Sequence, residues 1–209
     1  VVEAVCMLVE IYKRLIYGND QDPLTGIYNR RFLNSNLEIE VERDDSSQSE
    51  LSMLYLDIDN FKQVNDSFGH DCGDKVLIQL AQLLHNSVRH YDLAVRLGGD
   101  EFVVLLPTSS CWTGVMMGNR LLESFSNIVF DCEGNTFTLS FSAGVSSLAL
   151  CSEDSAKELL KSADTAMYEA KRAGKNNVIL AQAKRKAKDH ASLVQAQEKL
   201  FLFLGSDPE

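Results

Sequence analysis

The chain has 209 residues, 45% of them hydrophobic and 24% charged, which supplies enough apolar material for a buried core and excludes wholesale disorder. Its 20 Lys and Arg stand against 30 Asp and Glu, and the net charge of −10 excludes a nonspecific binder of a nucleic acid polymer, because phosphate neutralisation needs a basic surface. A nucleotide substrate remains compatible with that charge if bound metal ions supply the missing positive charge.

Residues 1–18 carry Val2, Val5, Val9, Tyr12 and Ile16 at the three- and four-residue spacing of an amphipathic helix, able to pair with a second copy of itself or to pack on its own domain. Glu3, Glu10, Lys13 and Arg14 interrupt its apolar run, so neither a membrane span nor a signal peptide is predicted in this chain. The chain starts at Val1 without a methionine, and the expectation is a piece of a longer protein whose upstream sensor domain is missing and which could itself be membrane-tethered. Pro23 breaks the first helix, residues 29–42 read as a second, and Asp44 to Glu50 reads as a solvated loop. Leu51 to Asp57 is a short apolar strand ending in an acid, and residues 72–88 carry a helical stripe of Val76, Leu77, Leu80, Leu83, Leu84 and Val88. Leu93 to Leu97 and Glu101 to Leu106 are strand-like runs joined through Gly98-Gly99-Asp100, a strong hairpin signal. A helix over about 110–126, strands over 128–132 and 136–146, a helix over 154–172, a strand over 177–181 and a mixed-charge helix over 185–204 complete the chain. The mixture predicts an α+β fold with a central, mainly antiparallel sheet flanked by helices. Cys6, Cys72, Cys111, Cys132 and Cys151 are odd in number, scattered and without a CxxC pair, which predicts neither a zinc ribbon nor a disulfide framework and points to a reducing compartment, the cytoplasm.

Asp57, Asp59, Asp100 and Glu101 are the informative acids. Taken singly, acids at strand ends and turns are solvated surface groups. If the strand ending in Asp57 neighbours the hairpin, however, the acids converge on one rim of the sheet, where they repel unless a cation sits among them. Hard oxygen ligands on strand ends suit Mg²⁺, which takes one or two carboxylates and leaves positions for phosphate oxygens. Two lookalikes fail on spacing. The run from Asp57 begins like a calcium loop but has Lys62 at its sixth position and Gly69 at its twelfth, and Gly69 to Lys75 resembles a phosphate loop with Asp74 where the lysine belongs.

These residues resemble a known family. Asp22-Pro23-Leu24-Thr25-Gly26 with Asn29-Arg30-Arg31, the segment Asp57 to Asp74, Gly98-Gly99-Asp100-Glu101-Phe102, and Ala163 to Tyr168 running on to Asn176 are similar, in order, to the motifs of GGDEF-domain diguanylate cyclases. The resemblance implies the palm fold of nucleotidyl cyclases and a reaction in which two GTP become cyclic di-GMP and two pyrophosphates. It implies Mg²⁺, two per active site with Mn²⁺ as a substitute, held by Asp57, Glu101 and the carbonyl of Ile58. Asp100 is implied at the metal or at the attacking hydroxyl, Asn65 and Asp74 at guanine, and the amides of Asn60 and Phe61 at the terminal phosphates. Gly98 and Gly99 would let backbone approach phosphate closely. Lys171 and Lys175 would reach phosphate from one helix face, unless Gly174 ends that helix first. Arg89 and Asp92 form an RxxD pattern five residues before the double glycine, the family's product-inhibition spacing, and Arg120 is implied as a further contact. Catalysis would need a homodimer, each copy holding one GTP. The division implied is a stalk over 1–21, a catalytic domain over 22–181 and a helical tail over 182–209. The alternative reading is a catalytically silent module that binds GTP or cyclic di-GMP and signals by contact. Loss of the metal acids would mark it, and none is lost. A regulatory partner of a phosphodiesterase domain would need an EAL-type segment, which this sequence does not contain.

Overall fold

The structure, a computed structural model, describes residues 20–47, 50–153 and 155–183. The helices expected over 1–18 and 185–204, and the stalk and tail built on them, lie outside the described residues. In chain order the elements are β1 (Tyr28–Asn29), α1 (Arg30–Ser47), β2 (Ser52–Ile58), α2 (Phe61–Phe68), α3 (His70–Ser87), β3 (Leu93–Gly98), β4 (Glu101–Leu106), α4 (Cys111–Ser126), β5 (Phe130–Cys132), β6 (Asn135–Phe137), β7 (Phe141–Ser147), α5 (Ala156–Arg172) and β8 (Asn177–Leu180). Three helices start where a polar side chain accepts a hydrogen bond from an otherwise orphaned N–H: Asn29 from Phe32, Ser110 from Thr113, and Ser155 from Glu158.

The main sheet has six strands in the order β1-β3-β4-β2-β7-β8. Its three inner pairings, β3 with β4, β4 with β2 and β2 with β7, are antiparallel, and the outer strands β1 and β8 add in parallel. The expected α+β class with a mainly antiparallel sheet is what the chain adopts. Every residue of β2 is buried, because helices cover both faces of the central strand. Strand alternation then divides the core. Leu54, Leu56, Phe102, Val104, Phe141 and Val145 face α2, α3 and α4, whereas Met53, Tyr55, Val95, Val103 and Leu105 face α1 and α5. By the same alternation Asp57 and Glu101 belong to the α1/α5 face. On that face β7 presents only Ser142, Gly144 and Ser146, so α5 lies directly on the sheet. A Cβ on Gly144 would stand 2.1 Å from the Ala163 carbonyl oxygen and 2.2 Å from the Met167 nitrogen.

Three expectations are corrected, and one element went unread. Helix α1 continues to Ser47, past the loop expected from Asp44, because Val41 still packs in the core and Arg43 pairs with Glu40 one turn earlier. Helix α2 was not predicted; it is eight residues long and buries only Phe61 and Val64, too short a stripe to read. The strand expected over 136–146 is split into β6, which pairs with β5 in a separate two-stranded sheet, and β7 of the main sheet; residues 138–140 connect the two, and there Ser140 meets Asp59. Finally, Cys72 at the start of α3 and Cys132 in β5 form a disulfide across 60 residues, their Cα atoms 6.1 Å apart. Cysteine spacing is blind to partners that only the fold brings together, and this pair stands against the expectation of unpaired thiols. Cys111 and Cys151 are buried thiols.

Candidate active site

Antiparallel register sets Asp57 directly opposite Glu101 across β2 and β4, and opposite Ser142 across β2 and β7. The acids converge on the rim of the sheet because the β3–β4 turn ends level with the end of β2. The Ile58 amide reaches the carbonyl of Asp100 at 3.4 Å, which closes that rim. Gly98 and Gly99 hold φ of 140° and 54°, values that side-chain-bearing residues rarely adopt, and β3 shifts register between Arg96 and Gly98. A Cβ at either position would meet nothing within 4 Å, so the backbone of the turn is open.

Asp57 is buried, and its carboxylate meets the Lys171 ammonium of α5 at 2.6 Å. Burial pushes its pKa up to about 6; Lys171 pulls the other way, and the negative charges of Asp100 and Glu101 push it further up. Glu101 faces the Arg30 guanidinium at 3.6 Å. The buried Tyr55 hydroxyl is raised above the ordinary phenol value by burial and by the charge and hydrogen bond of Glu101. Asp164 on α5 is raised by burial and by Glu101, with Lys171 opposing. Among the described residues no three His, Cys, Asp or Glu side chains stand ready to enclose a metal on their own. The facing carboxylates, each met by a cation and one of them driven toward protonation by burial and then by its acidic neighbours, nevertheless fit a divalent ion that takes one or two carboxylates and completes its shell from phosphate and water. The Ile58 carbonyl lies at the same strand end.

Asp59, counted with the informative acids from sequence, takes no part in that cluster. Buried beneath the rim, it accepts from the Ser140 and Ser142 hydroxyls, each at 2.7 Å, and from the Asn176 amide at 2.9 Å. Asn60 adopts a left-handed conformation and opens α2, where its amide and that of Phe61 lie at a helix N-terminus suited to anions. Helix α5 ends at Arg172, and Gly174, Lys175 and Asn176 follow with positive φ, so Lys175 leaves the face that carries Lys171. Its ammonium bonds the Asn60 side-chain oxygen at 2.6 Å instead. Asn65 on α2 lies over Gly73 of α3 so closely that a Cβ there would stand 2.0 Å from its Oδ1. Asp74 follows at the next position, on the same pair of helices.

Arg89, Asp92 and Arg120 are brought together at a distance from the acids. All three line a cleft of about 350 Å³ between the end of α3 and α4. Asp92 is buried; its Oδ2 accepts from the Arg89 amide at 2.8 Å rather than from the guanidinium, which shapes the turn and leaves the Arg89 side chain exposed. Sequence reasoning gave no role to Arg30, Tyr55 or Asp164. The first and last stood inside quoted motifs, and the one signal for Tyr55 was a hydroxyl-bearing aromatic two residues before Asp57, on the same face of an otherwise apolar strand.

Residues 19–177 match the family described as diguanylate cyclase, GGDEF domain. The chain belongs to that family. It is 40% identical over 160 residues to diguanylate cyclase DgcP of Pseudomonas aeruginosa, covering 77% of this chain and 24% of that protein. It is 37% identical over 159 residues to the response regulator PleD of Caulobacter vibrioides, covering 76% and 35%. The chain thus spans about a quarter to a third of these curated relatives. Among solved structures it resembles the GGDEF domain of YfiN from P. aeruginosa, with a TM-score of 0.71 and 33% identity over 76% of this chain and 98% of that one. The active GGEEF domain of a diguanylate cyclase from Vibrio cholerae matches with a TM-score of 0.69 and 33% identity, again over 76% and 98%. No helix among the described residues is long and apolar enough to cross a membrane.

Proposed function

We propose that this chain condenses two GTP into cyclic di-GMP and two pyrophosphates. The observation that carries the reading is the register pair Asp57–Glu101, with Asp100 at the adjoining turn and Lys171 against the pair, at a rim bounded by side-chain-free Gly98 and Gly99. The 3′-hydroxyl oxygen of one GTP attacks the α-phosphorus of the other; the new O–P bond replaces the bond to the β-phosphate, pyrophosphate leaves, and the hydroxyl proton passes to solvent or to Asp100. A second such step closes the ring. Asp57, Glu101 and the Ile58 carbonyl are the donors for Mg²⁺ or Mn²⁺, which when bound activates the attacking oxygen and offsets charge on the leaving group. Lys171 moves from carboxylate to phosphate as substrate enters, and Lys175 with the Asn60 and Phe61 amides receives the terminal phosphates. Asn65 and Asp74 read the guanine edge, the Asp74 carboxylate accepting the donor pair that adenine lacks, which disfavours ATP.

Because one site holds one GTP, turnover takes a homodimer, with the segment over 1–21 as its stalk. The cleft lined by Arg89, Asp92 and Arg120 is the site at which the product inhibits, the arginines gripping phosphate and guanine. A GTP substrate supports a cytoplasmic location.

The test is incubation with GTP and Mg²⁺, following pyrophosphate and cyclic di-GMP by chromatography, beside Glu101→Gln. Product from the wild type and none from the variant is expected. No product from the wild type at high protein concentration or with forced dimerisation, while GTP still binds, overturns the reading in favour of a silent binding module.

A further inference from the structure

The turn that presents Asp100 and Glu101 is intrinsically loose. Its two glycines carry positive φ, and the ladder between β3 and β4 breaks between Arg96 and Gly98. A glycine pair beside a bulge has more backbone freedom to lose than any other pair, so something outside the ladder must hold it. Arg96 does so. Its Nε and Nη2 both donate to the carbonyl of Gly99, at 3.1 and 2.9 Å, while Nη1 donates to the Asp22 carboxylate at 2.9 Å. The arginine is only 12% exposed and Asp22 17%.

Asp22 is itself fixed. The same oxygen accepts from the Thr25 amide at 2.9 Å and the Thr25 hydroxyl at 2.7 Å, and the Asp22 carbonyl accepts from Gly26 at 2.8 Å. Burial raises the Asp22 pKa, but the bonds from Thr25 and Arg96 outweigh it and hold the carboxylate below its ordinary range. On the other face, Arg30 donates from Nε to the carbonyl of Leu97 at 3.0 Å. The alternation of β3 places Arg96 with Ala94 on the α2/α3/α4 face, opposite the face of Asp57 and Glu101. Arg96 therefore cannot reach the acids, and whatever it does for them passes through the backbone.

We propose that Arg96, braced by Asp22, is a positioning residue that fixes the Gly98–Glu101 turn in the geometry the reaction needs. The fork of a guanidinium matters: one side chain reaches a carbonyl twice and a carboxylate once, which the single ammonium of lysine cannot do. As a positioning role it rests on the cyclase reading, and the experiment separates the two.

Arg96→Lys and Asp22→Asn are compared with wild type by hydrogen exchange of the turn amides without nucleotide, by thermal unfolding, and by kcat and KM for GTP. In Arg96→Lys the turn exchanges faster while β2 and β7 keep their protection, and kcat falls by about 10²-fold, the scale of a misplacement near 1 Å. KM changes far less than kcat, because the guanine readers Asn65 and Asp74 sit on other elements. Asp22→Asn, which keeps an acceptor but not the charge, shows the same pattern at smaller amplitude. Unchanged exchange at the turn overturns the proposal, as does faster exchange with wild-type kcat, or a loss of kcat that merely tracks the folded fraction. If the wild type makes no product the cyclase reading fails by itself, and the exchange data still decide whether Arg96 holds the turn.

Discussion

Asp57 and Asp59 stand two residues apart in one short motif and are both buried, yet they live in opposite circumstances. Asp59 has a donor for each demand: two serine hydroxyls and a backbone amide converge on it. Asp57 has, among the described residues, the Lys171 ammonium as its partner; burial raises its pKa, Lys171 opposes, and the charges of Asp100 and Glu101 add to the rise. A carboxylate surrounded by donors holds the fold together, tying the end of β2 to β7 and to the loop after α5. A carboxylate surrounded by carboxylates stores unfavourable charge that a bound cation relieves. Burial alone does not distinguish a structural acid from a reactive one; the balance of donors and like charges does.

The largest effect that tests this contrast is on turnover. Asp57→Asn is expected to lower cyclic di-GMP formation by ~10³-fold or more with the fold intact, since it removes the charge of a carboxylate proposed to hold the metal; an assay within tenfold of wild type breaks the contrast. Asp59→Asn is expected to destabilise the chain by about 2–3 kcal/mol in urea unfolding, because an amide turns one acceptor into a donor that faces donors. Its loss of activity should follow the loosening of the loop that carries Lys175 and Asn176.

The third outcome has the opposite sign. The Asp57 carboxyl titrates near pH 6 when folded against 3.8 unfolded, so between these values the folded chain binds the proton more tightly, and metal-free stability falls as pH rises. Asp57→Asn is thus expected to melt about 2–4 °C above wild type at pH 8 without metal, the gap closing as pH drops through 6 toward 4. A variant that melts lower than wild type across that range contradicts the assignment of Asp57 as the strained acid. The smallest effect is Ser142→Ala, about 0.5–1 kcal/mol by the same urea measurement, since Asp59 keeps its other donors.

Much of the site is legible in the sequence. The hairpin was readable from two apolar runs around a double glycine, and the convergence of Asp57 with Glu101 followed from supposing those strands adjacent, which the register bears out. Local pattern carries that far because side chains alternate along strands and glycine punctuates turns. It could not separate Asp57 from Asp59, because the serines that satisfy Asp59 lie more than 80 residues away. Nor could it find Tyr55 or pair Cys72 with Cys132, and it left open whether Lys175 shares a face with Lys171. The left-handed run after Gly174 answers that last question, and in doing so sends Lys175 to Asn60.

By itself the sequence determined the class of fold, the hairpin, the acids on its rim and the family, because these depend on periodicity and on residues close together in the chain. Only the tertiary structure decided which acid is held and which is strained, which arginine faces Glu101 and which fastens the turn, and which cysteines meet. Those outcomes depend on partners that approach through space, where the energy of a charge is set by every donor and every like charge within a few ångströms.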